Sequence, residues 1–246
     1  MPDIEKQLPD PRQNQILASL PANDYARILP HLEPFDMPAG LTVSAAGDSD
    51  KYLYFPSSGI ISLIHNLENG ASSEIGIVGN EGMIGISIYM GGESMPSSTE
   101  VQSAGHAYRL SRKIMKREFA LGGKLQRISL LYTQALIAQT SQIAVCNQHH
   151  SLDQQLCRWL LMNVDRRHED KLVITQGVIA KLLGVTRESV NLSASSLQKD
   201  GLISYSRGQV KVLNRTQLED RVCECYSAVK NEYERLLATV TRYPLI

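Results

Sequence analysis

TQGVIAKLLGVTRESVNLSASSLQKDGLISYSRGQVKVLN, residues 175–214, is the stretch from which the fold is read. Thr175 is placed to cap a short helix whose inward residues are Val178, Ile179, Leu182 and Leu183. Gly184 ends that helix, because the tight turn needs a left-handed backbone that glycine adopts without strain. Thr186 caps the next helix, and Glu188 falls in its positive first turn. Val190 and Leu197 face back to the first helix, and Ala180 is small where the two cross. The offsets of Ala180, Gly184 and Val190 are those of a helix-turn-helix. After Asp200-Gly201, Ile203 and Tyr205 alternate, Arg207-Gly208 turns, and Val210 and Val212 alternate back, which makes a hairpin, or wing. A helix, turn, helix and wing in succession point to DNA. The competing reading is a small helical subdomain for protein contacts.

Charge sharpens that choice. The whole chain of 246 residues has zero net charge, yet residues 1–120 carry a net −5 and residues 171–215 a net +5. Phosphate attraction is a local field effect, so a basic block matters more than the neutral total. On charge alone, a chance distribution over the surface stays open.

Upstream, the texture changes near residue 111. Before it, Gly and Pro punctuate short apolar runs such as 60–64 and 74–78, and Asn69-Gly70 between them is a strong hairpin signal. Many short strands with frequent turns suggest a sandwich or small barrel. Residues 12–32 read as helical. Residues 111–123 read as a helix that stops at a glycine pair, and 124–150 as a long helix of about 40 Å. On it Ile128, Leu131, Ala135, Ala138, Gln142 and Val145 recur at three- and four-residue spacing. That stripe is expected to be a parallel dimer seam. The alternative is packing on the same chain, and both stripes of the helix can be used, since Leu130, Ile137 and Ala144 lie on another face. Ser151 and Gln154 form a capping box for a further helix. In the last helix Thr216 and Glu219 do the same.

The segment TQGVIAKLLGVTRESV resembles the helix-turn-helix signature of the Crp/Fnr family of bacterial transcription regulators. LEPFDMPAG, YLYFPSSGIISL and GNEGMIGI resemble the family's β-roll of the cyclic-nucleotide-binding type. The resemblance implies an α+β fold of two domains. An N-terminal antiparallel β-roll (double-stranded β-helix, jelly-roll-like) with flanking helices occupies 12–120. A long dimerisation helix follows at 121–150, then a winged helix-turn-helix at 151–215 and a C-terminal helix at 216–246. It also implies a homodimer on double-stranded DNA, at an inverted repeat. Arg187 and Glu188 match family positions that face base edges, and Asn191 lies one turn along, where it can meet adenine or stay solvated. Leu192 stands where the family often has a second arginine, so the usual target sequence does not carry over. Thr175, Gln176, Thr186, Ser189 and Arg207 are the expected phosphate contacts. RNA polymerase and an unidentified small-molecule effector stay open as further partners. A constitutive DNA binder or a protein-interaction module, with the β-domain as scaffold, is the alternative.

The family's nucleotide binders carry Gly-Glu-Leu and, about ten residues on, an Arg that pairs with the cyclic phosphate. Here Gly85 is followed by Ile86, and Pro96-Ser97-Ser98-Thr99-Glu100 contains no Arg. Glu100 is expected to repel a phosphate. Control by a cyclic nucleotide is therefore not expected, and neither is any cofactor. No cysteine precedes Cys146, which disfavours an N-terminal iron–sulfur cluster. Cys146, His149, His150 and Cys157 match no standard metal spacing. Cys223 and Cys225 are two apart on an expected helix, so they point to different faces. Core packing is the expectation for all four cysteines, with no metal. There is no GxSxG, Walker loop or HExxH, so no catalytic residues are assigned. The absence of an 18-residue apolar run and of a signal pattern, with few cysteines, predicts a cytoplasmic protein that does not engage membrane.

Overall fold

The computed structural model describes residues 9–167 and 170–242. The first eight residues, part of the stretch read above for a signal, and the last four of the expected C-terminal helix lie outside the described residues. The expected helical stretch at 12–32 is broken by Pro21 and Pro30 into α1 (Gln15–Ala18) and α2 (Ala22–Ile28), with one-turn 3₁₀ segments at either side.

Seven strands then form the N-terminal domain: β1 (Glu33–Met37), β2 (Thr42–Ser44), β3 (Tyr52–Pro56), β4 (Ile60–Asn66), β5 (Ser72–Val78), β6 (Ser98–Ser103) and β7 (Gly105–Ser111). They lie in two antiparallel sheets, ordered β1-β7-β3 and β2-β6-β4-β5. Asn69-Gly70 makes the β4–β5 turn, where the Leu67 amide donates to the Ala71 carbonyl at 2.8 Å. Ile60 through Ile64 are all buried rather than alternating. β4 is an inner strand of its sheet, and a helix described below packs on its outer face. A short helix, α3 (Ser87–Met90), lies between β5 and β6, and α4 (Arg112–Ala120) ends at Gly122 and Gly123, both left-handed.

The 27-residue helix α5 (Gly123–His149) leads to α6 (Leu152–Arg167), capped as expected by Ser151 and Gln154. The carboxy-terminal domain continues with β8 (Lys171–Val173), α7 (Gln176–Leu183), α8 (Arg187–Lys199), β9 (Ile203–Ser206), β10 (Gln209–Val212) and α9 (Arg215–Arg221). The sheet order is β8-β10-β9. The cap of α9 is Asn214, which accepts from the Gln217 amide at 3.1 Å, and not Thr216. The expected single last helix is in fact two, because the chain leaves helical geometry at Val222 before α10 (Cys225–Arg242).

α10 runs back along α5 in the opposite direction. Cys225, at its start, accepts from Gln142 at 3.1 Å, while Tyr233, two turns on, accepts from Gln139 at 2.7 Å and sits edge-on to Tyr132. This packing changes the reading of the α5 stripe. Ile128 and Ala135 are buried by the chain itself, and Leu131, Ala138 and Gln142 are half-buried; only Val145 is exposed. The face left to solvent is the second stripe: Leu130 is 48% and Ile137 58% exposed, and Ala144 is also exposed. Arg127, Gln134, Ser141 and Gln148 are exposed between them, which completes a seven-residue repeat.

Candidate nucleic-acid interface

The helix pair is set by its caps. Thr175 accepts from the Val178 amide at 3.3 Å, and Thr186 accepts from the Ser189 amide at 3.2 Å. Gly184 has φ +68°, and the Val185 amide donates to the Ala180 carbonyl at 3.0 Å to close the turn. Ile179, Ala180, Leu182 and Leu183 of α7 pack on Val190, Ala194 and Leu197 of α8. Val178, expected inward, is largely exposed, because the short α7 turns only one face to α8.

That burial leaves one face of α8 in solvent. Arg187, Glu188 and Asn191 are exposed on it, and Leu192 is 72% exposed. Gln176 at the start of α7 donates to the Asn191 side-chain oxygen at 3.1 Å. Asn191 must share or release that bond before it can grip adenine with both ends of its amide. Ser189 is half-buried with its hydroxyl 2.9 Å from that of Thr186, so both hydroxyls serve the cap first.

The wing brings its charge to the same side. Ser206 and Gln209 face each other across a two-residue turn in which Arg207 has φ +48° and Gly208 φ +73°. This pattern suits the right-handed twist of a hairpin, and Gly208 adopts it without strain. The Tyr205 hydroxyl donates to the Ile174 carbonyl at 2.8 Å, and the Tyr205 amide donates to Gln198 at 2.6 Å, which ties wing to α8. Burial pushes the Tyr205 phenol up to about 12, so it stays a neutral donor. Thr175, Gln176, Arg187, Tyr205, Arg207 and Gly208 line one concavity of about 530 Å³. Four of the expected DNA contacts therefore share one basic hollow at the start of α7 and α8. Helix N-termini and two guanidinium groups converging in this way can hold phosphate. Not all of the basic block is available: Lys181 pairs with Glu100 at 3.3 Å, and Arg215 is held by Asp165 and Glu219.

Two sites escaped the sequence reading. The first joins the domains. Glu74 of β5 is buried against α6, where Trp159 donates to it at 3.1 Å and the Ser62 hydroxyl lies 2.6 Å from its other oxygen. Ser62 also lies 2.9 Å from the Gln102 side-chain oxygen, Gln102 donates to Asn163, and Asn163 donates to the Trp159 carbonyl at 2.8 Å. One hydroxyl proton cannot serve both acceptors. A protonated Glu74 resolves the count by donating to Ser62, which then donates to Gln102. Desolvation acts in the same direction and pushes the Glu74 carboxyl up to about 7. The second site is a cluster of sulfur and imidazole groups beside the α5–α6 link, treated below.

Beside the cassette of the β-roll, Gly85 has φ +93°, and Asp50 is buried, accepting from Ser44 at 2.7 Å and from Ser87. No arginine lies in the run 96–100. Glu100 spends its charge on Lys181 of α7, so the repulsion expected of it is weakened and the missing arginine carries the argument.

Comparison with known families agrees with both domains. The family model for the Crp-like helix-turn-helix domain matches residues 154–221, and that for the cyclic nucleotide-binding domain matches residues 35–120. The chain belongs to the Crp/Fnr family of transcriptional regulators. Solved structures share the fold at low identity. A protein from Eubacterium rectale assigned to the Crp/Fnr regulators superposes with a TM-score of 0.68 at 18% identity, over 85% of this chain and 98% of that one. FixK2 from Bradyrhizobium japonicum gives 0.68 at 15%, over 78% and 98%. CLP, a c-di-GMP-responsive global regulator from Xanthomonas campestris, gives 0.65 at 18%, over 79% and 100%. A search among curated proteins finds no match. Like its family, this chain is a transcriptional regulator with a helix-turn-helix DNA-binding domain. Among the described residues no helix is long and apolar enough to cross a membrane.

Proposed function

We propose that two copies of this chain form a cytoplasmic homodimer that reads an inverted repeat, with each α8 in one of two successive major grooves about 34 Å apart. The observation that carries this reading is the exposed face of α8, where Arg187, Glu188 and Asn191 stand beside the basic hollow completed by Arg207. Arg187 forks to guanine, Glu188 accepts from cytosine, and Asn191 serves adenine once Gln176 lets go. Thr175, Gln176, Thr186, Ser189 and Arg207 hold phosphates. The seam is built on Leu130, Ile137 and Ala144, whose exposure on a rigid 27-residue helix supports burial against a second copy. From the expected stripe only Val145, at the seam's edge, is open to join it. The working domain divisions are 12–120, 121–150, 151–215 and 216–246.

The β-roll in this reading does not answer to a cyclic nucleotide. Support comes from the absence of arginine in 96–100 and from the buried carboxylate of Asp50 beside the cassette. Isothermal calorimetry with cAMP and with cGMP tests this part: no heat at micromolar ligand is expected, and saturable micromolar binding of either overturns it. A mobility shift on the chain's own promoter region, followed against salt, tests the DNA part. Each phosphate contact contributes about −0.9 to the slope of log affinity on log salt.

A further inference from the structure

The break between α9 and α10 does more than end a helix. It turns Cys223 out of helical register with Cys225, so two sulfurs that a continuous helix would splay instead converge. They meet Cys146 in the last turn of α5 and His150 just after it. The three sulfurs and a ring nitrogen of His150 all lie within 4.8 Å of one another. Cys146 Sγ is 3.5 Å from Cys223 Sγ, and Cys225 Sγ is 3.4 Å from His150 Nδ1. A tetrahedral cation with Zn–S near 2.3 Å and Zn–N near 2.0–2.1 Å sets its ligands about 3.5–3.8 Å apart. Two of the donor pairs already stand at about that figure, and the others lie within 4.8 Å.

Two surrounding features match such a centre. The other nitrogen of His150, Nε2, lies 3.4 Å from Glu224 Oε2, the carboxylate partner that orients a metal-bound imidazole. Three thiolates and a neutral imidazole around a dication leave one net negative charge. Arg158 is buried nearby with its Nε lacking a hydrogen-bond partner. A disulfide between Cys146 and Cys223 would engage only two of the four donors.

We propose that Cys146, His150, Cys223 and Cys225 form a zinc(II) site that ties the α5–α6 link to the α9–α10 link. Thiolate softness selects zinc over harder divalent ions. The ligands sit where the long helix passes into the DNA-binding domain, so occupancy fixes the angle between the two. Binding releases the thiol protons and is linked to folding of this corner.

The test uses the full chain, purified reduced. It is titrated with Zn²⁺ against a chromophoric chelator and, in parallel, with Co²⁺. One zinc per chain is expected, and Co²⁺ should give the intense visible bands and sulfur-to-metal charge transfer of a tetrahedral thiolate site, erased by added zinc. Cys225→Ser and His150→Ala should each lower zinc affinity by about a hundredfold or more, with His149→Ala close to wild type. His150 stands at the rim, so its variant reports even where a cysteine variant fails to fold. No stoichiometric uptake by the reduced folded chain overturns the proposal. So does an octahedral Co²⁺ spectrum without charge transfer, uptake unchanged in both ligand variants, or a Cys146–Cys223 disulfide whose reduction yields no metal binding.

Discussion

The winged helix and the β-roll keep the family fold by different means. In the winged helix, the residues that shape the backbone stand beside those that would touch DNA: Thr186 caps α8 and Arg187 follows it, and Arg207 carries both the turn and the charge. In the β-roll, the strands are held by buried residues such as Leu53, Phe55, Ile61 and Val101, while the cassette that would hold a cyclic phosphate lacks its arginine. A hydrophobic core tolerates loss of a ligand residue, because packing and recognition rest on separate side chains. A cap and its neighbouring contact are harder to separate. The contrast predicts that substitutions in the winged helix change which DNA is bound, and that the β-roll acts on DNA through its junctions.

The largest effect tests the shared axis. Ile137→Glu puts a carboxylate in the proposed seam, and ultracentrifugation should show monomer with intact circular dichroism. Loss of the second half-site should weaken DNA binding by about 10²–10⁴-fold. A variant that stays dimeric places the seam elsewhere.

Next is the junction at Glu74. Its carboxyl sits at about 7 in the folded chain against an ordinary 4.5, because desolvation outweighs the donors. The folded state therefore holds the proton more tightly than the unfolded chain. The stability this contributes is fully present below about pH 4.5 and is lost as pH rises through about 7. Glu74→Gln cannot ionise and keeps a donor toward Ser62. Relative to wild type it should gain roughly 3 kcal/mol between pH 4.5 and 7.5 in urea unfolding. Parallel pH profiles would mean that Glu74 is ionised when folded.

Within the winged helix, Arg187→Ala should cost about 1–3 kcal/mol on the preferred sequence and much less on random DNA. Equal losses on both would assign Arg187 to the backbone. The smallest effect belongs to Arg207→Ala, which should weaken binding evenly across sequences and flatten the salt slope by about 0.9.

Local signals made much of this legible. Gly184, the caps Thr175 and Thr186, the Arg207-Gly208 turn and the Asn69-Gly70 turn all act within a few residues of where they stand in the chain. What escaped depends on partners far away. Ile128 and Leu130 head stripes of similar character, and elements far off in the chain, β5 and α10, decide which is covered. Glu74 and Trp159 are 85 residues apart and meet across the domain boundary. Cys223 and Cys225 converge because the helix breaks at Val222, where no glycine or proline announces it.

In the proposed function, α8 reads base edges as one of a symmetric pair. Selection of bound sequences from random duplex DNA, run with wild type and Arg187→Ala, tests it most directly. Wild type should enrich an inverted repeat with half-site centres about one helical turn apart, and the variant should lose one conserved position in each half. Enrichment of no sequence, or of the same motif by both proteins, would contradict it.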